Sequence, residues 1–206
     1  MPAEGERLVE AFVGGLLSTS PLEAVSVVLG FLYAAYAVRR VRWCWLAGGI
    51  SSAILVYLAA RARLPMQAAL QAYYVAMAVY GFWHWSRKEA PARSVTTLPL
   101  PAHAVAWVII VVVSMVNAWW LTEQTQAAWP LLDSLVTWTS LFATWLTARV
   151  KLESWLYWIV ADSVAVFLFV AQGLMFVAVL FLAYLVISVI GFITWRRAIR
   201  VPVPAT

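Results

Sequence analysis

Seven long apolar segments dominate the sequence and constrain its fold more than any other feature. A helix needs roughly 20 mostly apolar residues to cross the hydrocarbon core of a bilayer. Of the 206 residues, 65% are hydrophobic and 11% are charged, whereas a soluble domain carries about 25% charged residues. The sequence therefore predicts an all-α membrane protein with seven transmembrane helices. The predicted spans are 21–38, 43–60, 66–85, 103–121, 130–148, 154–171 and 174–195.

Several other classes of membrane protein fit the sequence poorly. The one cysteine, Cys44, has no partner for an intrachain disulfide and argues against a metal cluster. The sequence has no GxxxxGK(S/T) loop, so ATP drive within this chain is not expected. The two lysines, Lys88 and Lys151, fall between spans, where neither can hold retinal as in a seven-helix photoreceptor. A membrane enzyme is a remote alternative, because His84 and His103 lie at span edges. We expect no cofactor and no metal.

Basic residues are unevenly distributed between the two sides of the predicted membrane domain. Cytoplasmic loops carry an excess of lysine and arginine. With the N-terminus outside, eleven of the fourteen basic residues fall inside. The net charge of +5 therefore reflects basic cytoplasmic loops rather than a nucleic-acid partner, and the C-terminus is predicted to be cytoplasmic. The inside residues are Arg39, Arg40, Arg42, Arg87, Lys88, Arg93, Arg149, Lys151, Arg196, Arg197 and Arg200, and the outside ones are Arg7, Arg61 and Arg63.

An internal repeat relates the two halves of the chain at an offset of 110 residues. Residues 64–85 align with residues 174–195 with eight identities in 22 positions, among them a shared Y…GF..W pattern. The same offset pairs Trp45 with Trp155 without a gap. Because one extra span separates the copies, the repeats are predicted to be parallel. That transporter layout puts the substrate site near the midplane between the repeats.

The repeat divides the chain into five predicted regions. A short apolar stretch at 8–17 contains Glu10 and is too short to span, so we expect it in the membrane interface. The regions are an N-terminal extracytoplasmic segment (1–20), a first three-helix repeat (21–85), a cytoplasmic loop with linker helix (86–129), a second three-helix repeat (130–195) and a cytoplasmic tail (196–206).

Polar stripes run along the third and fifth spans. In the third span, Gln71 and Tyr74 lie one turn apart on a polar face. This pair suits a polar ligand, or else it clamps neighbouring helices. Such faces should point into the bundle, because lipid offers them no hydrogen-bond partner. The fifth-span stripe is read first as helix-packing glue, and it consists of Asp133, Thr137, Ser140, Thr144 and Thr147.

Asp162 is the sharpest single candidate for a functional residue. It lies well inside the sixth span and shares a helix face with Trp155 and Trp158. A carboxylate at that depth costs a few kcal/mol, so it needs a partner or a water-filled cavity. The functional interpretation is a substrate contact or a proton site, and the alternative is a structural hydrogen bond to a serine, a threonine or the backbone. Aromatic faces beside one acid suit a flat, cationic, hydroxyl-bearing ligand.

Other conspicuous residues have structural interpretations. Ser20 and Glu23 form a predicted capping box at the start of the first span, and Pro130 with Asp133 is expected to play a similar part. The paired glycines 81 and 191 are expected to allow close helix contact. Tryptophans near the span ends are read mainly as an aromatic belt: Trp43, Trp45, Trp83, Trp85, Trp119, Trp120, Trp129, Trp155 and Trp195.

Taken together, these segments resemble the nicotinamide riboside transporter (PnuC-type) family. The resemblance covers roughly residues 20–197 and is most specific in the E.W..WI..D pattern of KLESWLYWIVADSVAVFLF and in the YGFWHW ending of the third span. It implies a SWEET-like fold built 3+1+3, usually as a homotrimer. It also implies facilitated diffusion of an unphosphorylated vitamin across the bacterial inner membrane, followed by trapping through a cytoplasmic kinase.

The family pattern also implies a set of substrate-facing positions. The sequence departs from the pattern at Thr144, where the family often carries glutamine. Relatives on the same scaffold carry thiamine or riboflavin, so nicotinamide riboside is the first candidate ligand and these two vitamins are the alternatives. Nicotinamide riboside and thiamine are both cationic ring systems with hydroxyl groups. The implied positions are Gln71, Tyr74, Trp155, Trp158, Asp162 and Tyr184.

Overall fold

The computed structural model describes residues 4–87, 94–124 and 129–200, and these ranges contain eight α-helices. Lys88 and Arg93, which the orientation argument uses, and the end of the predicted tail at 201–206 lie outside the described residues. The helices are α1 (Glu4–Ser18), α2 (Pro21–Val38), α3 (Trp43–Arg61), α4 (Pro65–Ser86), α5 (Leu100–Gln124), α6 (Pro130–Ala148), α7 (Ser154–Ala171) and α8 (Met175–Arg200).

Five of these helices, α2, α3, α5, α7 and α8, are long and apolar enough to cross a membrane. The chain is therefore an all-α, multi-pass membrane protein. The other two predicted spans, α4 and α6, are helices of 22 and 19 residues. They are less apolar, because α4 carries two glutamines and α6 carries an aspartate with a run of serines and threonines. Their passage across the membrane stays a prediction.

The short segment before the first span folds as α1, which packs against α8. The rings of Phe12 and Phe176 lie 5.7 Å apart between their centroids. Gly15 faces the same phenylalanine so closely that a Cβ there would lie 2.8 Å from Phe176 Cβ. The predicted interfacial position of residues 8–17 stays a prediction.

The start of α2 confirms the predicted capping box. The backbone N–H of Ser20 donates to Glu23 Oε2 at 2.7 Å, and the backbone N–H of Glu23 donates to Ser20 Oγ at 3.3 Å. The similar prediction for α6 is confirmed only in part: Pro130 opens the helix and Asp133 lies in its first turn, but the expected cap bond is absent. Its N-cap residue is Trp129, which has no side-chain oxygen to accept the bond, and the helix has no side-chain cap hydrogen bond. Asp133 is exposed in the first turn, where its charge still suits the helix dipole.

Six helices pack side by side in a closed order. Contacts join α2 to α3, α3 to α4, α4 to α6, α6 to α7, α7 to α8, and α8 back to α2. Helix α5 packs on the outside of this ring against α6, and Asn117 Nδ2 donates to Ser134 Oγ between them at 3.0 Å. The two contacts between the halves, α4 with α6 and α8 with α2, pair the last helix of each half with the first helix of the other.

Contacts inside the two halves recur at the 110-residue offset. The ring of Trp45 covers Gly81, and the ring of Trp155 covers Gly191, so closely that a Cβ at either glycine would overlap the indole. Each indole also packs edge-on against a second tryptophan. The centroids of Trp45 and Trp85 are 5.5 Å apart at 89°, and those of Trp155 and Trp195 are 5.4 Å apart at 90°. The predicted close contact at both glycines is confirmed.

The tryptophans assigned to an aromatic belt separate into two groups. Trp43, Trp83, Trp119, Trp120 and Trp129 are exposed, as a belt requires. The belt interpretation was wrong for four others, which are buried in one aromatic core: Trp45, Trp85, Trp155 and Trp195. Trp45 and Trp155 are buried because glycines 81 and 191 let their indoles lie directly against α4 and α8, and Trp85 and Trp195 pack edge-on against those two indoles.

Candidate functional site

The buried carboxylate of Asp162 lies at mid-helix in α7, eight residues and about 12 Å after Ser154. It is only 3% exposed, and Ser188 Oγ of α8 donates a hydrogen bond of 3.0 Å to its Oδ2. The structural alternative, a hydrogen bond to a serine, is therefore present. A carboxylate accepts several hydrogen bonds, so this contact leaves acceptor capacity for a ligand. Contact of Asp162 with a ligand stays a prediction.

Two tyrosines at equivalent positions of the repeat accompany this carboxylate. The hydroxyl groups of Tyr74 and Tyr184 lie near enough to Asp162 for its charge to act on them. Tyr74 on α4 hydrogen-bonds Ser140 on α6. The hydroxyl of Tyr184 on α8 rests against Gly30 on α2, where a Cβ would overlap it. Each tyrosine thus reaches from the last helix of one half to the first helix of the other, with Asp162 beside both.

Trp158 lies on the same helix as Asp162, one turn before it, and is half-buried. Its indole N–H donates to Thr147 Oγ1 on α6 at 3.3 Å. Thr144 is buried on α6, and its hydroxyl donates to the Ser140 carbonyl oxygen of that helix at 2.8 Å. Thr147 therefore joins α6 to α7 and helps to fix the orientation of the Trp158 ring. The role of Thr144 in binding stays a prediction.

Gln71 and Trp155 occupy different places in the structure. The side chain of Gln71 is buried on α4, one turn before Tyr74. Trp155 is 4% exposed and packs against Gly191 and Trp195, seven residues or about 10 Å along α7 from Asp162. The structure therefore gathers Tyr74, Tyr184 and Asp162 and places Trp155 in the aromatic core. The role of each in binding stays a prediction.

Sequence reasoning missed two residues of this region, Ser188 and Tyr33. Ser188 lies four residues after Tyr184, so the two share a face of α8. A single serine on the same face of an apolar helix as a tyrosine is the sequence signal that could have identified Ser188. Tyr33 on α2 gave no such signal, because its counterpart at the 110-residue offset is Ala143. Among the described residues, no three His, Cys, Asp or Glu side chains are grouped to hold a metal ion.

Comparison with known proteins identifies relatives of the chain. Residues 20–197 match the sequence profile of a family described as nicotinamide mononucleotide transporter. The chain is 23% identical to the nicotinamide riboside transporter PnuC of Escherichia coli (strain K12) over 207 positions, which cover 87% of this chain and 86% of that protein. It is 26% identical to the riboflavin/roseoflavin transporter RibM of Streptomyces davaonensis over 180 positions, which cover 84% and 83% of the two chains.

A solved structure has the same fold. The crystal structure of the vitamin B3 transporter PnuC aligns with a TM-score of 0.70 at 23% sequence identity and covers 95% of this chain and 89% of that chain. At this identity the similarity establishes the fold. The resemblance to the PnuC-type family is confirmed, because the family profile covers nearly the whole chain. The chain belongs to the nicotinamide mononucleotide transporter family, the PnuC-type membrane transporters, and is not an enzyme.

Proposed function

We propose that the chain is an uptake transporter for an unphosphorylated vitamin and that its first candidate substrate is nicotinamide riboside. The observation that carries this proposal is the buried Asp162, which lies beside Tyr74 and Tyr184, side chains that join the two halves. A carboxylate within an apolar span is expensive to keep there and is typical of a substrate or ion pathway. The name of the relative from Escherichia coli supports the choice of vitamin.

The residues around Asp162 match the chemistry of a cationic nucleoside. Nicotinamide riboside has a positively charged pyridinium ring, a carboxamide and ribose hydroxyl groups. The Trp158 ring can stack on the pyridinium, and a cation–π contact contributes up to about 2 kcal/mol when desolvated. Asp162 can balance the charge or accept from a ribose hydroxyl. The tyrosine hydroxyls and the Gln71 amide both donate and accept, so they suit hydroxyl and carboxamide groups.

The mechanism we propose is alternating access through rocking of two three-helix halves. In this view all seven predicted helices span the membrane in a SWEET-like 3+1+3 topology, with α2–α4 and α6–α8 as parallel repeats and α5 as linker. The ring of helices and the paired contacts at the 110-residue offset support it. Transporters of this layout rock one repeat against the other around a fixed site. Transport by facilitated diffusion and trapping by a cytoplasmic kinase are parts of the same proposal.

The proposed orientation puts the N-terminus outside the bacterial inner membrane and the C-terminus inside. The ends of α2, α4, α6 and α8 and the starts of α3 and α7 carry the basic residues, as a cytoplasmic face requires. Arginines there also lie over aromatic rings. Arg87 is 3.8 Å from the Trp83 ring centroid, and Arg149 is 5.2 Å from that of Trp145. We further propose a homotrimer, which the mass of the purified detergent complex tests.

Riboflavin is the second candidate substrate, and thiamine is a third. The riboflavin/roseoflavin transporter RibM aligns over 84% of this chain at slightly higher identity than PnuC does. Riboflavin is neutral, whereas nicotinamide riboside and thiamine are cations, so the three ligands place different demands on Asp162. Thr144 is the first position to examine for a difference in specificity, because it lies beside Ser140, the partner of Tyr74.

Uptake into liposomes that contain the purified protein tests this function. Labelled nicotinamide riboside, thiamine and riboflavin are offered separately, with empty liposomes as the control. We expect nicotinamide riboside to equilibrate across the membrane at a rate that a protonophore leaves unchanged over the initial seconds. Accumulation above the outside concentration that the protonophore abolishes would contradict facilitated diffusion. Equilibration of none of the three vitamins would contradict the proposed function.

A further inference from the structure

Tyr33 on α2 carries a buried hydroxyl group with no hydrogen-bond partner among the described residues. Its ring is held on two sides. The ring centroid lies 5.6 Å from that of Trp45 at an angle of 66°, and the ring edge lies against Gly48, where a Cβ would be 2.8 Å from Tyr33 Cδ2. A buried hydroxyl without a partner costs about 1–3 kcal/mol. The fold therefore holds this ring firmly while the hydroxyl stays unsatisfied.

The internal repeat shows what Tyr33 replaces. At the 110-residue offset, Tyr33 corresponds to Ala143 and Gly48 corresponds to Trp158. In the second half the large aromatic residue is on α7 and the small alanine is on α6. In the first half it comes from α2, opposite a glycine on α3. At these two equivalent positions each half has one aromatic residue and one small residue. The aromatic residue is on the first helix of the first half but on the second helix of the second half.

Tyr33 also lies near α4, since its hydroxyl is close enough to those of Tyr73 and Tyr74 for the groups to influence one another. Tyr74 in turn hydrogen-bonds Ser140 of the second half and lies near enough to Asp162 for that charge to act on it. Tyr33 and Trp158 pack against the same buried aromatic core. The orphaned hydroxyl therefore belongs to the region between the halves where the ligand is proposed to bind.

We infer that Tyr33 is a ligand-binding residue, the aromatic wall that the first half contributes opposite Trp158 of the second half. Its hydroxyl supplies a hydrogen bond to an uncharged oxygen of the ligand, a carbonyl or a hydroxyl group. The inference rests on the proposed function, since it needs a ligand in this region. It assigns the two ends of the ligand different partners: Asp162 takes the cationic or donor end, and Tyr33 takes a neutral oxygen.

The variant Tyr33→Phe tests this inference, because it removes the hydroxyl and keeps the ring. The purified full-length protein is titrated with nicotinamide riboside, thiamine and riboflavin by calorimetry, and its thermal unfolding is recorded without ligand. One lost hydrogen bond weakens binding about 3- to 10-fold. The melting temperature without ligand should stay the same or rise, because an unsatisfied polar group has been removed. A merely structural tyrosine would not combine weaker binding with undiminished stability.

The matched control is Tyr73→Phe on α4. The hydroxyl of Tyr73 already donates to the Leu141 carbonyl oxygen at 3.0 Å. Removing this hydroxyl should lower the melting temperature, because the Leu141 carbonyl loses its donor. The affinity for the vitamin should change less than about twofold, which corresponds to about 0.4 kcal/mol in binding free energy.

Three results would overturn the inference. If the wild type binds a vitamin and Tyr33→Phe binds it equally well, the inference is wrong while the proposed function stands. If Tyr33→Phe loses stability as Tyr73→Phe does, the hydroxyl has a structural partner and the inference is also wrong. If the wild type binds none of the three vitamins, the proposed function fails and the inference fails with it.

Discussion

Trp85 and Trp195 meet between the two halves, with ring centroids 6.4 Å apart, and each donates a hydrogen bond to the other half. Trp85 Nε1 donates to the Ala148 carbonyl oxygen at the end of α6, and Trp195 Nε1 donates to the Val38 carbonyl oxygen at the end of α2, both at 3.0 Å. Donors and acceptors alike are 110 residues apart. The two bonds are therefore equivalent under the internal repeat. Any motion that separates the two halves at these tryptophans must break both bonds.

Replacing either indole donor should weaken the contact between the halves. Trp195→Phe leaves the partly buried carbonyl of Val38 without its donor, so we expect the free energy of unfolding to fall by about 1 kcal/mol. Trp85→Phe should have a similar effect, because its bond is the counterpart. Thermal unfolding in detergent measures both. Trp119→Phe, at a side chain that is 65% exposed, is the control and should unfold like the wild type. A large effect in only one of the two buried variants would contradict the equivalence of the bonds.

Substitution of Gly81 tests the close packing inside the first half. A Cβ there overlaps the Trp45 ring, so Gly81→Ala must displace the indole or separate α3 from α4. Overpacking of this kind destabilises by about 1–3 kcal/mol. Gly14→Ala in α1 is the matched control, because a Cβ at Gly14 meets no atom within 4 Å. Equal melting temperatures for both variants would show that the indole moves aside freely.

The variant Asp162→Asn separates the charge of this residue from its hydrogen bonding. Asparagine keeps the shape and an oxygen that can accept from Ser188 Oγ, but it removes the negative charge. We expect the affinity for the cations nicotinamide riboside and thiamine to fall at least about tenfold, or about 1.4 kcal/mol, and any affinity for neutral riboflavin to change little. Calorimetric titrations with all three ligands measure this. Unchanged affinity for the cations would mean that Asp162 is structural.

Local signals in the sequence predicted much of this architecture. The apolar segments correspond to α2–α8, and the capping box was readable because Ser20 and Glu23 lie within one turn of each other along the sequence. The same reasoning placed Pro130 and Asp133 in the first turn of α6 correctly, but the cap bond that it predicted is absent. The spacing of proline and acid there matches the first span, but the residue before the proline is a tryptophan rather than a serine, so nothing accepts the cap bond.

Features that depend on a neighbouring helix were harder to predict. A tryptophan near the end of an apolar segment has the same sequence context whether it faces lipid headgroups or a carbonyl group of another helix, so Trp85 and Trp195 were mistaken for belt residues. The bond from Ser188 to Asp162 joins two helices, and the periodicity of each helix gives the face of its residue but not the partner on the other helix. The internal repeat indicates such contacts between helices, because the 110-residue offset pairs Trp45 with Trp155 and Gly81 with Gly191.

The most direct test is a calorimetric titration of the detergent-purified protein with nicotinamide riboside, in the wild type and in Trp158→Ala and Gln71→Ala. We predict saturable binding to the wild type and loss of binding in both variants, with expression and particle mass unchanged. Trp119→Ala, on the exposed face of α5, should bind like the wild type. Binding of thiamine or riboflavin in place of nicotinamide riboside would keep the site and change the substrate. Wild-type affinity in both Trp158→Ala and Gln71→Ala would mean that the ligand does not bind beside Asp162.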